Sequence, residues 1–265
     1  MSEASKTFFD KGWITLPFDP LLAQWVQATL PAATATLSDP DHAQWYRYQN
    51  TWFAGVNVLP NDATGKVPDG LALQCQAVEF IHQHVCQRDY DFDSAQVSVC
   101  YPGYPLPMDS ESEAAHRFRK NRDAAHLDGL IPVGDSRRRY LQEHHGFILG
   151  IPMTSFSKDA SPLVVWEGSH EVISNRLKME LGNLPAAEWH TVDLTDIYQA
   201  VRKQVFDTCQ RTTIHASPGE AIVMHRLAIH GVAPWQDDAW CDDIGRMICY
   251  FRPLLSDPAH WLMDP

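Results

Sequence analysis

Residues 219–235 read GEAIVMHRLAIHGVAPW. A Gly–Glu turn opens the stretch, the apolar run AIVMH follows, and a second apolar run leads to His230 before glycine and proline interrupt it. Short apolar runs bounded by turn residues are typical of strands. The stretch therefore predicts two short strands, the second of which carries His230.

Similar β-type runs occur through the second half of the chain, whereas the first third has helical periodicity. The strand candidates are QVSVC (96–100), FILGIPM (147–153), PLVVW (162–166) and RMICYF (246–251). The helix candidates are 20–30, 70–88, 171–182 and 194–207, where apolar residues recur mostly every three or four positions. This order predicts a mainly β protein with a sandwich or barrel core and N-terminal supporting helices.

The composition agrees with one domain spanning 1–265, with helical support over 1–93 and a β core over 94–255. The chain has 265 residues, 45% of them hydrophobic, and a formal charge of −12 from 21 basic and 33 acidic side chains. A core of that size needs no disulfides, so we expect the six scattered cysteines to be free thiols. The acidic balance disfavours nucleic acids and anionic membranes as partners.

Several common functional motifs are missing from the sequence. It has no glycine-rich phosphate loop and no G-x-S-x-G element, which disfavours nucleotide-binding and α/β-hydrolase functions. No apolar run is long enough to cross a bilayer, and the first residues show no secretory pattern. These observations predict a cytoplasmic protein.

The segment HLDG at 126–129 offers two metal-ligand side chains, His126 and Asp128. On a strand, residues two apart leave the same face, so this imidazole and carboxylate can converge on one ion. His230, 104 residues further on, is the best candidate for a third ligand. Two histidines and one carboxylate on one side of an ion form the facial triad of non-haem Fe(II) oxygenases.

An arginine that could bind a carboxylate group follows His230 in the sequence. Arg246 lies sixteen residues after His230 and opens RMICYF, which we expect to run antiparallel beside the His230 strand. A guanidinium can bind both oxygens of a carboxylate, as the far end of a dicarboxylate requires. Arg252 is the alternative; it shares a strand face with Arg246 but lies about 20 Å further along, so only one of the two can bind this group.

Taken together, these segments resemble the phytanoyl-CoA dioxygenase-like family of Fe(II)/2-oxoglutarate-dependent oxygenases. The resemblance rests on the following stretches: HLDG, PLVVWEGSHEV (162–172), Pro218–Gly219, IHGVAPW (229–235) and Arg246. It implies a double-stranded β-helix, or jelly-roll, in which His126, Asp128 and His230 hold Fe(II). It further implies that 2-oxoglutarate chelates the iron and pairs with Arg246.

The implied reaction uses dioxygen to hydroxylate a C–H bond of a small-molecule substrate. Relatives that halogenate lack the carboxylate ligand, so Asp128 favours hydroxylation. Two alternatives stay open: a jelly-roll protein that binds or senses metal and 2-oxoglutarate without turnover, and a cupin-type metalloenzyme that needs no arginine.

Two further features concern the surroundings of this site. His144 and His145 point to opposite sides if the strand that follows is regular, so one of them faces the interior; we assign His144 to cofactor contact, with simple packing as the alternative. Residues 117–139 hold seven of the 21 basic side chains. They form either a solvated rim or an electropositive mouth that attracts an anionic substrate.

Overall fold

A computed structural model describes residues 2–263. Its strands are β1 (Trp13–Leu16), β2 (Tyr46–Arg47), β3 (Trp52–Phe53), β4 (Gln96–Cys100), β5 (Leu130–Val133), β6 (Arg138–Leu141), β7 (Ile148–Pro152), β8 (Leu163–Glu167), β9 (Gln210–Ile214), β10 (Ala221–Met224), β11 (His230–Val232) and β12 (Arg246–Phe251). Its α-helices are α1 (Glu3–Lys11), α2 (Pro20–Ala35), α3 (Gln76–Phe80), α4 (Glu113–Asn121), α5 (Ser169–Leu181), α6 (Thr195–Thr208) and α7 (Ala259–Met263). None of the helices in residues 2–263 is both long and apolar enough to span a membrane.

Two sheets face each other and form the core of the fold. The larger sheet has seven strands in the order β1-β10-β7-β12-β4-β3-β2, and the smaller has the order β11-β8-β9. A separate hairpin pairs β5 with β6. Neighbouring strands of these sheets run antiparallel to each other.

The position of β12 differs from the prediction that it lies beside the His230 strand. It runs between β4 and β7 in the larger sheet. The backbone of β11 is already paired on both sides: His230 pairs with Val165 of β8 and, as an isolated bridge, with His126. With both of its edges occupied, β11 leaves β12 to form part of the opposite wall.

The N-terminal third is less helical than its sequence pattern predicts. Strands β1, β2 and β3 all join the larger sheet, so this region is more than a helical support. The helix predicted over 70–88 begins only at Gln76, where the backbone N–H donates to Asp19 Oδ2 at 2.7 Å. It then widens into a π-turn over Ile81–Val85. Cys75, just before the helix, is fully extended, with φ −163° and ψ 168°.

Alternation along β12 separates two of the apolar cores. Met247, Cys249 and Phe251 pack in the core that α1, α2 and α3 cover. Ile248 and Tyr250 face the smaller sheet and belong to the core between the sheets. Since Arg246 lies on the same face as Ile248 and Tyr250, it points between the sheets. A third core joins the outer face of β8 to α5 and α6.

Candidate metal centre and cavity

The two candidate histidines are brought together by backbone hydrogen bonds. His126 N donates to His230 O at 2.9 Å, and His230 N donates to His126 O at 3.1 Å. The two rings lie on the same side of this bridge, with their centroids 4.6 Å apart. Gly231 permits the close approach of the two segments, because a Cβ there would lie 2.1 Å from the Asp123 carbonyl oxygen.

Asp128 reaches the histidines from a turn and not from the strand that the spacing predicts. The chain turns at Asp128 and Gly129, directly before β5 begins. Gly129 has φ +85°, and a Cβ there would lie 2.3 Å from the Glu143 carbonyl oxygen. Glycine is therefore required at this position, and the turn that it permits directs the Asp128 carboxylate back toward the histidines.

Ligand atoms of His126, Asp128 and His230 all lie within 4.8 Å of one another. Asp128 Oδ1 is 3.2 Å from His126 Nε2, and its Oδ2 is 3.7 Å from His230 Nε2. The Nδ1 atoms are 3.0 Å from the Ala124 carbonyl oxygen and 2.9 Å from that of Ala228. If each Nδ1 carries the proton and donates it, each Nε2 is left with a lone pair.

The electrostatics of the centre favour metal binding. Burial lowers the pKa of His230 to about 4, against the attraction of Asp128, so this imidazole is neutral at pH 7. Burial acts to raise the pKa of Asp128, but Arg252, His230 and His126 outweigh it and hold that pKa well below its ordinary value. A neutral imidazole and an ionised carboxylate are the protonation states that a metal ligand needs.

The cluster opens onto a cavity of about 210 Å³ between the two sheets. Residues from both walls surround it: Trp52, Val56, Gln96, Ser98, His126, Asp128, Ile148, Leu163, Met224, His230, Gly231, Val232, Tyr250 and Arg252. Apart from the three candidate ligands, Arg252 is the charged side chain in this set. The cavity is thus mainly apolar, with polar groups at a few fixed positions.

Arg246 is fully buried, and part of its guanidinium has no partner. The side chain stacks on Phe156 at 5.5 Å, while its Nε and Nη1 atoms make no hydrogen bond. The buried Tyr250 hydroxyl and Cys100 thiol lie beside this guanidinium, which opposes the rise in pKa that burial causes in both groups. Such orphaned donors are rare in folded proteins and indicate a missing acceptor.

Arg252 lies just beyond the other end of β12 and lines the cavity. Its Nη1 is 3.4 Å from Asp128 Oδ2. The two arginines share a strand face, as their spacing predicts, and stand toward opposite ends of it. The structure thus places Arg252 beside a candidate metal ligand and Arg246 in a buried polar pocket.

His145, and not His144, is the buried member of the histidine pair. His145 Nδ1 lies 2.7 Å from the Arg252 carbonyl oxygen, and its Nε2 lies 3.0 Å from Glu143 Oε2. His144 is half-buried and does not line the cavity; the charged groups that act on it are His145 and His190. His144 therefore lies outside the residues that line this cavity, and its contact with a cofactor stays a prediction.

Three of the seven basic residues in the segment 117–139 are paired with a carboxylate or stacked on a ring. Arg138 binds Asp193 and Asp196, while Arg119 pairs with Glu111 and stacks on Tyr48 at 3.8 Å. Arg122 lies over Phe206 at 4.9 Å. These contacts favour the solvated rim over an electropositive mouth.

Three residues with an amide or hydroxyl group that line the cavity on the larger sheet were not predicted from the sequence: Gln96, Ser98 and Tyr250. A usable signal was present, because alternation in QVSVC and RMICYF places Gln96 and Ser98, and separately Arg246 and Tyr250, on one face. The hydroxyl of Ser169, the first residue of α5, accepts a hydrogen bond from Ile229 N at 2.9 Å, next to His230.

No protein-family model matches the chain, and no curated protein matches it. Solved structures do match. The non-haem α-ketoglutarate-dependent carbocyclase SnoK from nogalamycin biosynthesis aligns over 96% of this chain and 84% of its own, with a TM-score of 0.52 and 13% identity. EctD from S. alaskensis, with 2-oxoglutarate and 5-hydroxyectoine, aligns over 96% and 76%, with a TM-score of 0.48 and 13% identity.

HygX from Streptomyces hygroscopicus, with nickel, 2-oxoglutarate and hygromycin B, aligns over 97% of this chain and 87% of its own. Its TM-score is 0.47 and its identity 11%. At these identities the similarity concerns the fold, and the SnoK match supports that conclusion. The chain shares its fold with SnoK, which confirms the predicted jelly-roll core.

Proposed function

We propose that the protein is an Fe(II)- and 2-oxoglutarate-dependent dioxygenase that hydroxylates a C–H bond of a small molecule. The observation that carries this proposal is the grouping of His126, Asp128 and His230 at the wall of a cavity. Two imidazoles and one carboxylate are the ligand set of non-haem Fe(II) oxygenases. The jelly-roll fold shared with SnoK, whose name describes a non-haem α-ketoglutarate-dependent enzyme, is consistent with it.

The three ligands would hold the metal through His126 Nε2, His230 Nε2 and the Asp128 carboxylate. The carbonyl oxygens of Ala124 and Ala228 fix the two rings, so the ligand atoms are oriented before the metal arrives. When bound, Fe(II) and 2-oxoglutarate supply oxidative chemistry in which dioxygen is consumed, 2-oxoglutarate becomes succinate and carbon dioxide, and the substrate gains a hydroxyl group.

Arg246 fits the distal carboxylate of 2-oxoglutarate. Its unpartnered Nε and Nη1 atoms can donate two hydrogen bonds to one carboxylate, and the Tyr250 hydroxyl can add a third. A buried cation without a counterion is costly, so a bound anion would stabilise the surroundings of Arg246. We therefore assign the cosubstrate anchor to Arg246.

The motifs HLDG, WEGSH and IHGVAPW support the phytanoyl-CoA dioxygenase-like branch, which stays a prediction from sequence. Asp128 occupies the position that halogenating relatives leave empty, and this supports hydroxylation as the outcome.

The test is succinate release from 2-oxoglutarate by the purified chain with and without Fe(II). We expect release that depends on the metal and that falls by more than about 100-fold in His126→Ala and Asp128→Ala, since each removes a ligand. Asp196→Ala is the matched control, because it removes an exposed carboxylate outside the cavity. Full activity in both ligand variants would refute the assignment, and anaerobic binding of Fe(II) and 2-oxoglutarate without any succinate release would favour the sensing alternative.

A further inference from the structure

The backbone of Arg252 is held on both sides at one end of the cavity. Its N–H donates to Asp93 Oδ1 at 2.8 Å, and its carbonyl oxygen lies 2.7 Å from His145 Nδ1. His145 is held in turn by Glu143. These contacts fix the backbone, so the direction of the side chain into the cavity is a property of the fold.

The guanidinium of Arg252 is largely uncommitted. The hydrogen bond that it makes within residues 2–263 is the long one from Nη1 to Asp128 Oδ2 at 3.4 Å, and its Nε has no partner. A guanidinium has five N–H donors in a planar fork that suits a carboxylate or phosphate. One long contact to Asp128 leaves most of these donors for another acceptor.

Two polar side chains of β4 face the same cavity. Ser98 Oγ accepts from Trp52 Nε1 at 3.0 Å, so its own proton can be donated to a ligand. Gln96 Nε2 donates to the Ala54 carbonyl oxygen at 2.8 Å, which leaves the amide oxygen as its available group. The cavity wall thus offers a cationic fork, one neutral donor and one acceptor.

The charges along the cavity wall also favour an anion. Apart from the three candidate ligands, Arg252 is the charged residue that lines the cavity, and a metal bound to Asp128 would compete for the carboxylate that Arg252 contacts. Asp93 and Glu143 act on Arg252 from outside the cavity, and both have closer partners, in the Arg252 backbone N–H and in His145. With the metal and cosubstrate in place, Arg252 is left as the cation that a further ligand can reach.

We propose that Arg252, together with Ser98 and Gln96, recognises the primary substrate, and that this substrate is a compact organic acid whose anionic group binds the Arg252 guanidinium. This inference rests on the proposed function. The cavity of about 210 Å³ would hold 2-oxoglutarate as well as the substrate. A small acid, or the acidic end of a larger one, suits the space that is left.

Arg252 and Arg246 act on different ligands in this arrangement. Their Cα atoms are six residues apart along an extended chain, which is about 20 Å. A five-carbon diacid bound to Arg246 through its far carboxylate therefore leaves Arg252 free. The substrate acid then binds beside Asp128, next to the metal ligands.

The experiment uses the full chain loaded with Ni(II) and 2-oxoglutarate at saturating concentrations. The probes are propionate and its neutral counterpart propionamide, and their dissociation constants are measured by ligand-observed NMR. We expect propionate to bind at least about tenfold more tightly, since a charge-assisted bond to a partly buried guanidinium is stronger than a neutral one. Arg252→Gln should abolish this preference, and Arg252→Lys should restore part of it.

Arg138→Gln is the matched control, because it removes a cation that pairs with Asp193 and Asp196 at the surface. It should leave the preference for propionate unchanged. The 2-oxoglutarate dissociation constant, measured by calorimetry, should rise by about 30-fold or more in Arg246→Gln and by less than about threefold in Arg252→Gln.

Equal binding of the two probes by the loaded wild-type chain overturns this inference alone, and that result needs no variant. A 30-fold loss of 2-oxoglutarate affinity in Arg252→Gln overturns it too, because Arg252 would then be the cosubstrate anchor. Failure of the wild-type chain to bind Ni(II) and 2-oxoglutarate refutes the proposed function, and this inference with it.

Discussion

Two polar regions between the sheets, the metal end of the cavity and the buried surroundings of Arg246, hold their polar groups in different ways. At the metal end, His126, His230 and Asp128 contact one another, and Arg252 adds a contact to the carboxylate. At the start of β12, Arg246 is fully buried beside Tyr250, and its Nε and Nη1 atoms make no hydrogen bond. The metal end is therefore oriented by the protein itself, whereas the surroundings of Arg246 are complete only with a ligand. The predictions below test this difference on the protein without added metal or cosubstrate.

The largest predicted change in stability is the loss expected on substitution of Arg252. Arg252→Met should lower the free energy of unfolding by about 3–5 kcal/mol, because it leaves the Asp128 carboxylate buried without its cationic partner. Urea unfolding at pH 7 measures this loss. Arg252→Lys keeps the charge and should recover part of it. A loss below about 1 kcal/mol would show that the histidines alone stabilise Asp128.

The titration of His230 should change the free energy of unfolding by about 3 kcal/mol. Its pKa is about 4 in the folded chain and about 6.5 in the unfolded chain, so between these values the unfolded chain binds the extra proton. Stability should therefore fall as the pH is lowered from 7 to 4.

The measurement compares urea unfolding of the wild type and of His230→Gln across this pH range. Because other groups titrate in both chains, the difference between the two isolates the contribution of His230. Parallel pH profiles for the two chains would contradict the low pKa.

The smallest predicted effect is a gain in stability on substitution of Arg246. Arg246→Met should raise the free energy of unfolding by about 1–3 kcal/mol, since it removes a buried charge whose donors lack acceptors. Arg226→Met is the matched control: that arginine is equally buried, but it donates to the carbonyl oxygens of Gly146, His260 and Trp261. The Arg226→Met control should be destabilised. If Arg246→Met is destabilised as well, the guanidinium donors of Arg246 already have acceptors in the protein without a ligand.

Much of the fold was predictable because strands and helices leave local patterns. The runs at 96–100, 147–153, 162–166 and 246–251 all contain strands, and the patches at 171–182 and 194–207 contain helices. The helix over 70–88 was only partly right, because the Asp19 carboxylate, 57 residues away, caps the segment at Gln76. No local periodicity carries that information.

The pairing of β12 was also wrong, for a reason outside its own sequence. RMICYF has the alternation of a strand whichever neighbours it has, and its partners depend on which edges are free. The bridge between His126 and His230 occupies the edge of β11 that β12 was expected to take. The same bridge brings the two candidate ligands together.

The sequence by itself determined the chemical identity of the candidate metal centre, because His126, Asp128 and His230 are the residue types that the ligand set needs, in an order that motifs reveal. It also determined that Arg246 and Arg252 share a strand face, since alternation is local. Only the tertiary structure decided what each arginine faces. Burial and hydrogen-bond partners come from residues distant in the chain: Asp128 lies beside Arg252, and Phe156 and Tyr250 lie beside Arg246.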